Sequence, residues 1–375
     1  MKIRAAVVRE SGARMPYAQS RPVQVEEVEL DPPGVGEVLV RIRAAGLCHS
    51  DLSVINGDRP RALPIALGHE ASAEVVELGQ GVTDLAMGDH VVLVFVPSCG
   101  CCLPCMEGRP ALCLPGAAAN AAGTLLGGAH RLRSHGEAIN HHTGVSCFAE
   151  YAVVSRRSCV KVDPTLSFRE AALFGCAVLT GAGAVVNNAQ PQLGQSFAIV
   201  GLGGVGLSAL IAAVASGAAD IVALDPNPDK RQLALALGAT HAVDPTAADA
   251  VGHVRSLTQG GVDFGLDMAG AAGSFELSYR VTRRGGATIT SSLPRPSARF
   301  ELPLAELVGE ERSVRGSYLG SGVPTRDITR YISLYQRGRL PVNRLMGRTW
   351  SLDQLNEGFD HMASGAGLRD AVVMD

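Results

Sequence analysis

The run Gly201-Leu202-Gly203-Gly204-Val205-Gly206 follows the apolar segment Phe197-Ala198-Ile199-Val200 and opens a small-residue stretch reaching Ala215. A strand, a glycine turn and a helix in that order predict a βαβ unit with a parallel sheet. Gly201 suits the tight turn, Gly203 lets the backbone approach a pyrophosphate, and Gly206 lets helix and strand pack closely. Gly204 and Val205 fall in the first helical turn, where unpaired N–H groups and the helix dipole favour an anion. Asp225 ends the next apolar run, Ile221-Val222-Ala223-Leu224, where a ribose 2′-hydroxyl is read. Its carboxylate repels a 2′-phosphate, so NAD is expected rather than NADP. Lys230, one turn further on, is a second candidate for the adenosine ribose or simply a solvated helix charge. A glycine turn without a ligand is the plainer reading of the fingerprint; Asp225 in step with it weighs against that.

The pattern continues past this unit. Strands are predicted at Val262 to Asp267, Ala287 to Thr290 and Val314 to Tyr318, with a helix from Lys230 to Leu237. Before about Asp163 the rhythm differs. Short β-like runs at 38–42, 73–78 and 90–95 are separated by turn signals such as Asp31-Pro32-Pro33-Gly34 and Met87-Gly88-Asp89. That is the pattern of an antiparallel, barrel-like unit with long loops. The tail mixes a helix, Arg326 to Gln336, with a final strand at 371–373.

One of the early loops carries Cys99, Cys102, Cys105 and Cys113. Four thiolates so spaced can enclose one tetrahedral Zn²⁺ as a closed, structural site. Cys101 is the odd one out, and Cys147 and Cys159 read as ordinary part-buried cysteines. Nine cysteines without a secretory signal favour metal ligation in a reducing compartment over disulfides, so a cytoplasmic protein is expected. The apolar run Ala171 to Val186 is too short for a bilayer helix and reads as buried core. A formal charge of −3 offers no attraction to phosphate backbones or anionic lipid, which argues against nucleic acid and membrane as partners.

A second, looser set of metal-ligand residues is Cys48 in Gly46-Leu47-Cys48-His49-Ser50-Asp51, His69 and Glu70 in Gly68-His69-Glu70, and Cys176 in Gly175-Cys176-Ala177. Spacing does not join them. The order of these motifs does carry a resemblance, together with the Cys99–Cys113 loop, the glycine fingerprint with Asp225, and Arg369 near the C-terminus. The chain resembles the zinc-dependent alcohol dehydrogenases of the medium-chain dehydrogenase/reductase superfamily along essentially its whole length.

That resemblance implies an α/β protein of two domains. A GroES-like β-barrel catalytic domain is formed by residues 1–177 with 321–375 returning to it, and a doubly wound Rossmann domain by 178–320. It implies two Zn²⁺ per subunit: a catalytic ion on Cys48, His69 and Cys176, and a structural ion on the four-cysteine loop. Hydride then passes from a zinc-bound alkoxide of a primary or secondary alcohol, medium-chain or aromatic, to NAD. Ser50 binds the substrate oxygen and starts the proton's exit, Asp51 fixes the His69 tautomer, and Glu70 lies behind the metal. His49 and Arg369 contact the pyrophosphate, Thr180 packs on the nicotinamide, and Phe95 lines the substrate channel. Ser53 stands where some relatives place a relay histidine, so water near Ser53 or His49 is left to finish the relay. Relatives pair as dimers through the strand matching 314–318, with tetramers as the alternative.

Asp51 also has a plain reading, as a cap on a helix starting near Ser50. His130, His135, His141 and His142 lie in a polar, irregular stretch and read as loop residues. A glutathione-dependent formaldehyde dehydrogenase is the nearest rival function, with Arg59 and Arg61 as candidate basic groups for its anionic substrate. A zinc ribbon for partner binding is the more remote one.

Overall fold

In the computed structural model, which describes residues Met1 to Met374, the chain divides into two units. The first gathers Met1–Cys176, Val323–Ile332 and Met346–Asp375, and the second Ala177–Gly322 and Ser333–Leu345. The expected return of 321–375 in one piece is therefore corrected. Residues 333–345 group with the second unit, and Leu340, Val342 and Leu345 are buried.

The first unit combines a closed five-stranded barrel with a seven-stranded sheet. In the sheet, Glu37–Gly46 lies between Ala71–Leu78 and Arg369–Val373, and Ala71–Leu78 pairs in turn with His90–Leu93. The inward residues are aliphatic: Val38, Val40, Ile42, Ala73, Val75, Val91 and Leu93 are sealed from solvent. Burying each valine, leucine or isoleucine among them is worth about 1.5–3 kcal/mol, which makes this sheet the rigid base of the unit.

Strand register decides what meets at its end. Ala45 pairs with Ala71, and Ala71 with Leu93. Cys48 leaves the end of the first strand while His69 and Glu70 enter the start of the second, so residues distant in sequence converge. Gly175 brings in the third partner. A Cβ there would lie 2.3 Å from the Leu93 carbonyl oxygen, so only glycine lets this segment dock and deliver Cys176.

The second unit is a six-stranded, wholly parallel sheet. Across it run His241–Val243, Ile221–Leu224, Phe197–Val200, Val262–Asp267, Thr282–Thr290 and Ser313–Gly316. Numbered in chain order that is 3-2-1-4-5-6, the doubly wound arrangement with its switch point beside the first strand. The last strand ends at Gly316, before Tyr318, which begins a 3₁₀ turn. The apolar run from Ala171 is buried through Val185, with Val186 exposed. Among the described residues no single helix is long and apolar enough to cross a membrane.

Candidate metal centres and cofactor site

Ligand atoms of Cys48, His69 and Cys176 all lie within 4.8 Å of one another, and all three side chains are buried. Cys176 Sγ stands 3.8 Å from His69 Nε2. Two thiolates and an imidazole so close together suit one Zn²⁺ at bonds of roughly 2.0–2.3 Å, with a fourth position left open. The hydrogen bond from Cys176 drives the Cys48 thiol well below its ordinary value against the effect of burial, and the positive charges of Arg369 and His69 add to it. That same bond, together with burial, pushes Cys176 up.

Behind His69, Asp51 Oδ2 lies 3.0 Å from Nδ1, a close but bent contact. Nε2 is thereby the nitrogen left to face the thiols. Asp51 Oδ1 accepts the Gly68 backbone N–H at 2.9 Å and faces His142 Nδ1 at 2.9 Å. Burial alone would raise this carboxyl; the charge and close approach of His69 and the hydrogen bond from His142 hold it down to about 2. The helix expected near Ser50 spans His49–Ile55, and its N-terminus has no side-chain cap, so the plain capping reading of Asp51 does not hold.

Glu70 and Arg369 form a buried ion pair, with Arg369 Nε 3.2 Å from Glu70 Oε1. Burial pushes the Glu70 carboxyl up while the guanidinium opposes it. Gly46 makes room for the pair, since a Cβ there would sit 2.5 Å from Glu70 Oε1. Arg369, expected at the pyrophosphate, is 6% exposed with its guanidinium turned to Glu70.

Around the thiol site, Phe95 meets the His69 ring edge-on at 5.3 Å between centroids. Ser50 is half-buried and His49 exposed in the first turn of the helix. Ser53 Oγ donates to the His49 carbonyl oxygen at 2.7 Å.

Of His141 and His142, both expected in a loop, His141 ends the strand Glu137–His141 while His142 lies in the loop that follows, and both are buried. His141 Nε2 accepts the Arg131 N–H at 3.0 Å, and His142 belongs to the Asp51 network. Neither sequence period nor spacing marks them; only the fold brings this segment beside Asp51.

Cys99, Cys102, Cys105 and Cys113 cluster with sulfur atoms within 4.8 Å of one another, and Cys101 is exposed. Backbone N–H groups point at the sulfurs: Cys99 N–H to Cys113 at 3.2 Å, Cys102 N–H to Cys99 at 3.3 Å and Gly116 N–H to Cys113 at 3.3 Å. Such bonds stabilise thiolates, and those from Cys101 and Cys102 pull the Cys99 thiol down to about 6. The donor set fits a closed tetrahedral ion.

In the second unit Gly201 has φ +93°, and a Cβ on Gly206 would lie 1.8 Å from the Gly201 carbonyl oxygen. Gly203 caps the helix Gly204–Ala215 and has no atom within 4 Å of where a Cβ would stand, a clear approach for a phosphate. Val205 is half-buried in the first turn. Asp225 accepts the N–H groups of Leu202 at 2.8 Å and Asn227 at 2.9 Å, which fixes its carboxylate beside the glycine turn. Lys230 is half-buried in the helix Pro228–Ala236, and Thr180 is buried in Ala177–Gly183.

The family model of the alcohol dehydrogenase GroES-like domain matches residues 34–164, and that of zinc-binding dehydrogenases matches 204–337. The chain belongs to the zinc-dependent alcohol dehydrogenase family of the medium-chain superfamily. Alcohol dehydrogenase B of Mycobacterium tuberculosis is 37% identical, over 94% of this chain and 95% of its own. An NDMA-dependent alcohol dehydrogenase of Amycolatopsis methanolica is 36% identical over 100% and 99%. The crystal structure of benzyl alcohol dehydrogenase from Acinetobacter calcoaceticus superposes with a TM-score of 0.93 at 32% identity, each chain covered in full. Membership in this family makes the chain an oxidoreductase on a GroES-like plus Rossmann scaffold.

Proposed function

We propose that the protein is a zinc- and NAD-dependent alcohol dehydrogenase acting reversibly on primary or secondary alcohols of medium-chain or aromatic type. The observation carrying this reading is the convergence of Cys48, His69 and Cys176 with Asp51 behind the histidine. Cys48, His69 and Cys176 would hold a zinc ion that would supply Lewis acidity toward the alcohol oxygen, and the glycine turn would hold the NAD that would serve as hydride acceptor.

The chain's own residues do the rest. Asp51 keeps His69 in the tautomer that presents Nε2. Ser50 Oγ, two residues past Cys48, would accept the hydrogen bond of the substrate hydroxyl and, on taking its proton, hand its own hydroxyl proton on. Phe95 shields the thiol–imidazole cluster from water. Onward passage of the proton runs through solvent at the helix start, because Ser53 Oγ is committed to the His49 carbonyl. Gly201, Gly203 and Gly206 admit the pyrophosphate to the N–H groups of Gly204 and Val205, and Asp225 receives the ribose hydroxyls. Arg231 Nη1 is held by the carbonyls of Asp225 and Pro226, leaving the Asp225 charge to disfavour a 2′-phosphate. Lys230, His49 and Thr180 keep their proposed contacts to ribose, pyrophosphate and nicotinamide. Cys99, Cys102, Cys105 and Cys113 hold the structural zinc.

The glutathione adduct of formaldehyde suits the chain less well, since Arg61 donates to the Asn120 carbonyl oxygen. We place the protein in a reducing compartment, the cytoplasm, where its nine free cysteines stay reduced. A homodimer formed through the edge strand Ser313–Gly316 is the proposed assembly, a tetramer the alternative. The test of function is NADH release over aliphatic and aromatic alcohols and S-hydroxymethylglutathione, with chelator-treated protein as control. Turnover of the simple alcohols, lost on chelation, is expected; turnover of the glutathione adduct alone overturns the substrate assignment.

A further inference from the structure

Asp51 makes more contacts than orienting His69 alone needs. Its Oδ2 faces His69, while Oδ1 is gripped by the Gly68 N–H and by His142 Nδ1, each at 2.9 Å. Both imidazoles and the carboxylate are buried, and the rings of His69 and His142 meet at 79° with centroids 5.3 Å apart. An ionised carboxylate only accepts, so the proton of this contact sits on His142 Nδ1.

The segment is built to aim that ring. His142 N–H donates to Ser146 Oγ at 2.9 Å, and Ser146 Oγ donates to the Ala66 carbonyl oxygen at 2.8 Å. The turn between them holds Thr143 at φ +52° and Ser146 at φ +51°. A β-branched residue in the left-handed region costs free energy, and such conformations persist where surrounding contacts over-determine them. No part of the proposed function uses His142.

We propose that His142 is a positioning residue: by fixing the rotation of the Asp51 carboxylate it fixes the His69 ring, and so the grip of Cys48, His69 and Cys176 on their metal. With His142 removed, only the Gly68 N–H restrains Oδ1, and Oδ2 can swing away from His69 Nδ1. Loss of an outer partner of a metal-bound histidine typically costs 10–100-fold in metal affinity. This inference rests on the metal-site reading above, and the experiment separates the two.

Purified holoenzyme is challenged with a chromogenic chelator, and release from the three-residue site is followed against release from the four-cysteine site as internal reference. His142→Phe keeps the ring and loses the donor; His142→Asn restores an N–H near the Nδ1 position. The expected result is release from the three-residue site about 10–100-fold faster in His142→Phe, recovered to within a few-fold in His142→Asn, with the four-cysteine ion unaffected in both. Unchanged release in His142→Phe overturns the inference, as does equal loss in both variants, which would show that the Nδ1–H donor to Asp51 is not what holds the site. If the phenylalanine variant does not fold, ¹⁵N-histidine spectra of the wild type decide: a proton on Nδ1 of His142 supports the proposal, and a proton on Nε2 alone overturns it. A wild type with no ion on Cys48, His69 and Cys176 removes the metal-site reading and this inference together.

Discussion

Arg369 and Glu70 are joined as a buried ion pair, the arginine at the start of the strand that pairs with Glu37–Gly46 and the glutamate just before Ala71–Leu78. The register Ala371 to Gly46, and the hydrogen bond from Gly46 N–H to the Glu70 carbonyl at 2.8 Å, bring them together. Both stand close enough to Cys48 for their charges to act on its thiol. The pair is therefore a fixed part of the site's electrostatics.

Removing one member should cost more than removing both. Arg369→Met leaves a buried carboxylate without its counter-charge, a loss of about 3–5 kcal/mol. Arg369→Met/Glu70→Gln should recover part of that. Urea unfolding of the single and double variants measures the difference; equal losses would show that the pair is not coupled.

Stability should fall in mild acid because of His141. Burial pushes its pKa from 6.5 down to about 3. The folded state holds it neutral while the unfolded chain protonates below 6.5, so its contribution is complete above 6.5 and shrinks as pH falls toward 3. One proton of difference gives a slope of at most about 1.4 kcal/mol per pH unit. His141→Gln keeps an acceptor for the Arg131 N–H and removes the titration. Its urea midpoint should decline less than the wild type's between pH 6.5 and 4; parallel declines would contradict this.

Asp51 acts at lower pH with a related sign. Its carboxyl is held down to about 2, so its contribution is complete above the ordinary carboxylate range and lost as pH drops through about 2. Asp51→Asn should therefore flatten the loss of stability below pH 4, measured in the same way.

Cofactor choice should turn on Asp225. Asp225→Ser removes the charge beside the ribose, and the ratio of kcat/KM for NADP over NAD should rise about tenfold or more, equivalent to about 1.4 kcal/mol. An unchanged ratio would shift the selectivity to other residues.

The nucleotide-binding unit was legible because its signal is local. Strand, glycine turn, helix and Asp225 follow within one βαβ unit, and each glycine has a steric reason that the structure repeats. The four-cysteine loop was legible for the same reason. Cys48, His69 and Cys176 were not joined by spacing, since they meet only through the register of three adjacent strands and the glycine contact at Leu93; family resemblance was needed. His142 and the turning of Arg369 toward Glu70 left no trace, because neither a polar loop nor a lone arginine reveals which carboxylate it will reach. The grouping of 333–345 with the second unit was hidden in a helix, Pro324–Gln336, that divides between the two units.

Cys48, His69 and Cys176 are proposed to hold one catalytic metal ion. Metal content per chain, measured by mass spectrometry on the wild type and on Cys176→Ser, tests it most directly when read beside NAD-linked alcohol turnover. Two zinc ions in the wild type, one in the variant and loss of turnover are expected. The same zinc content in both proteins, with turnover retained, would contradict it.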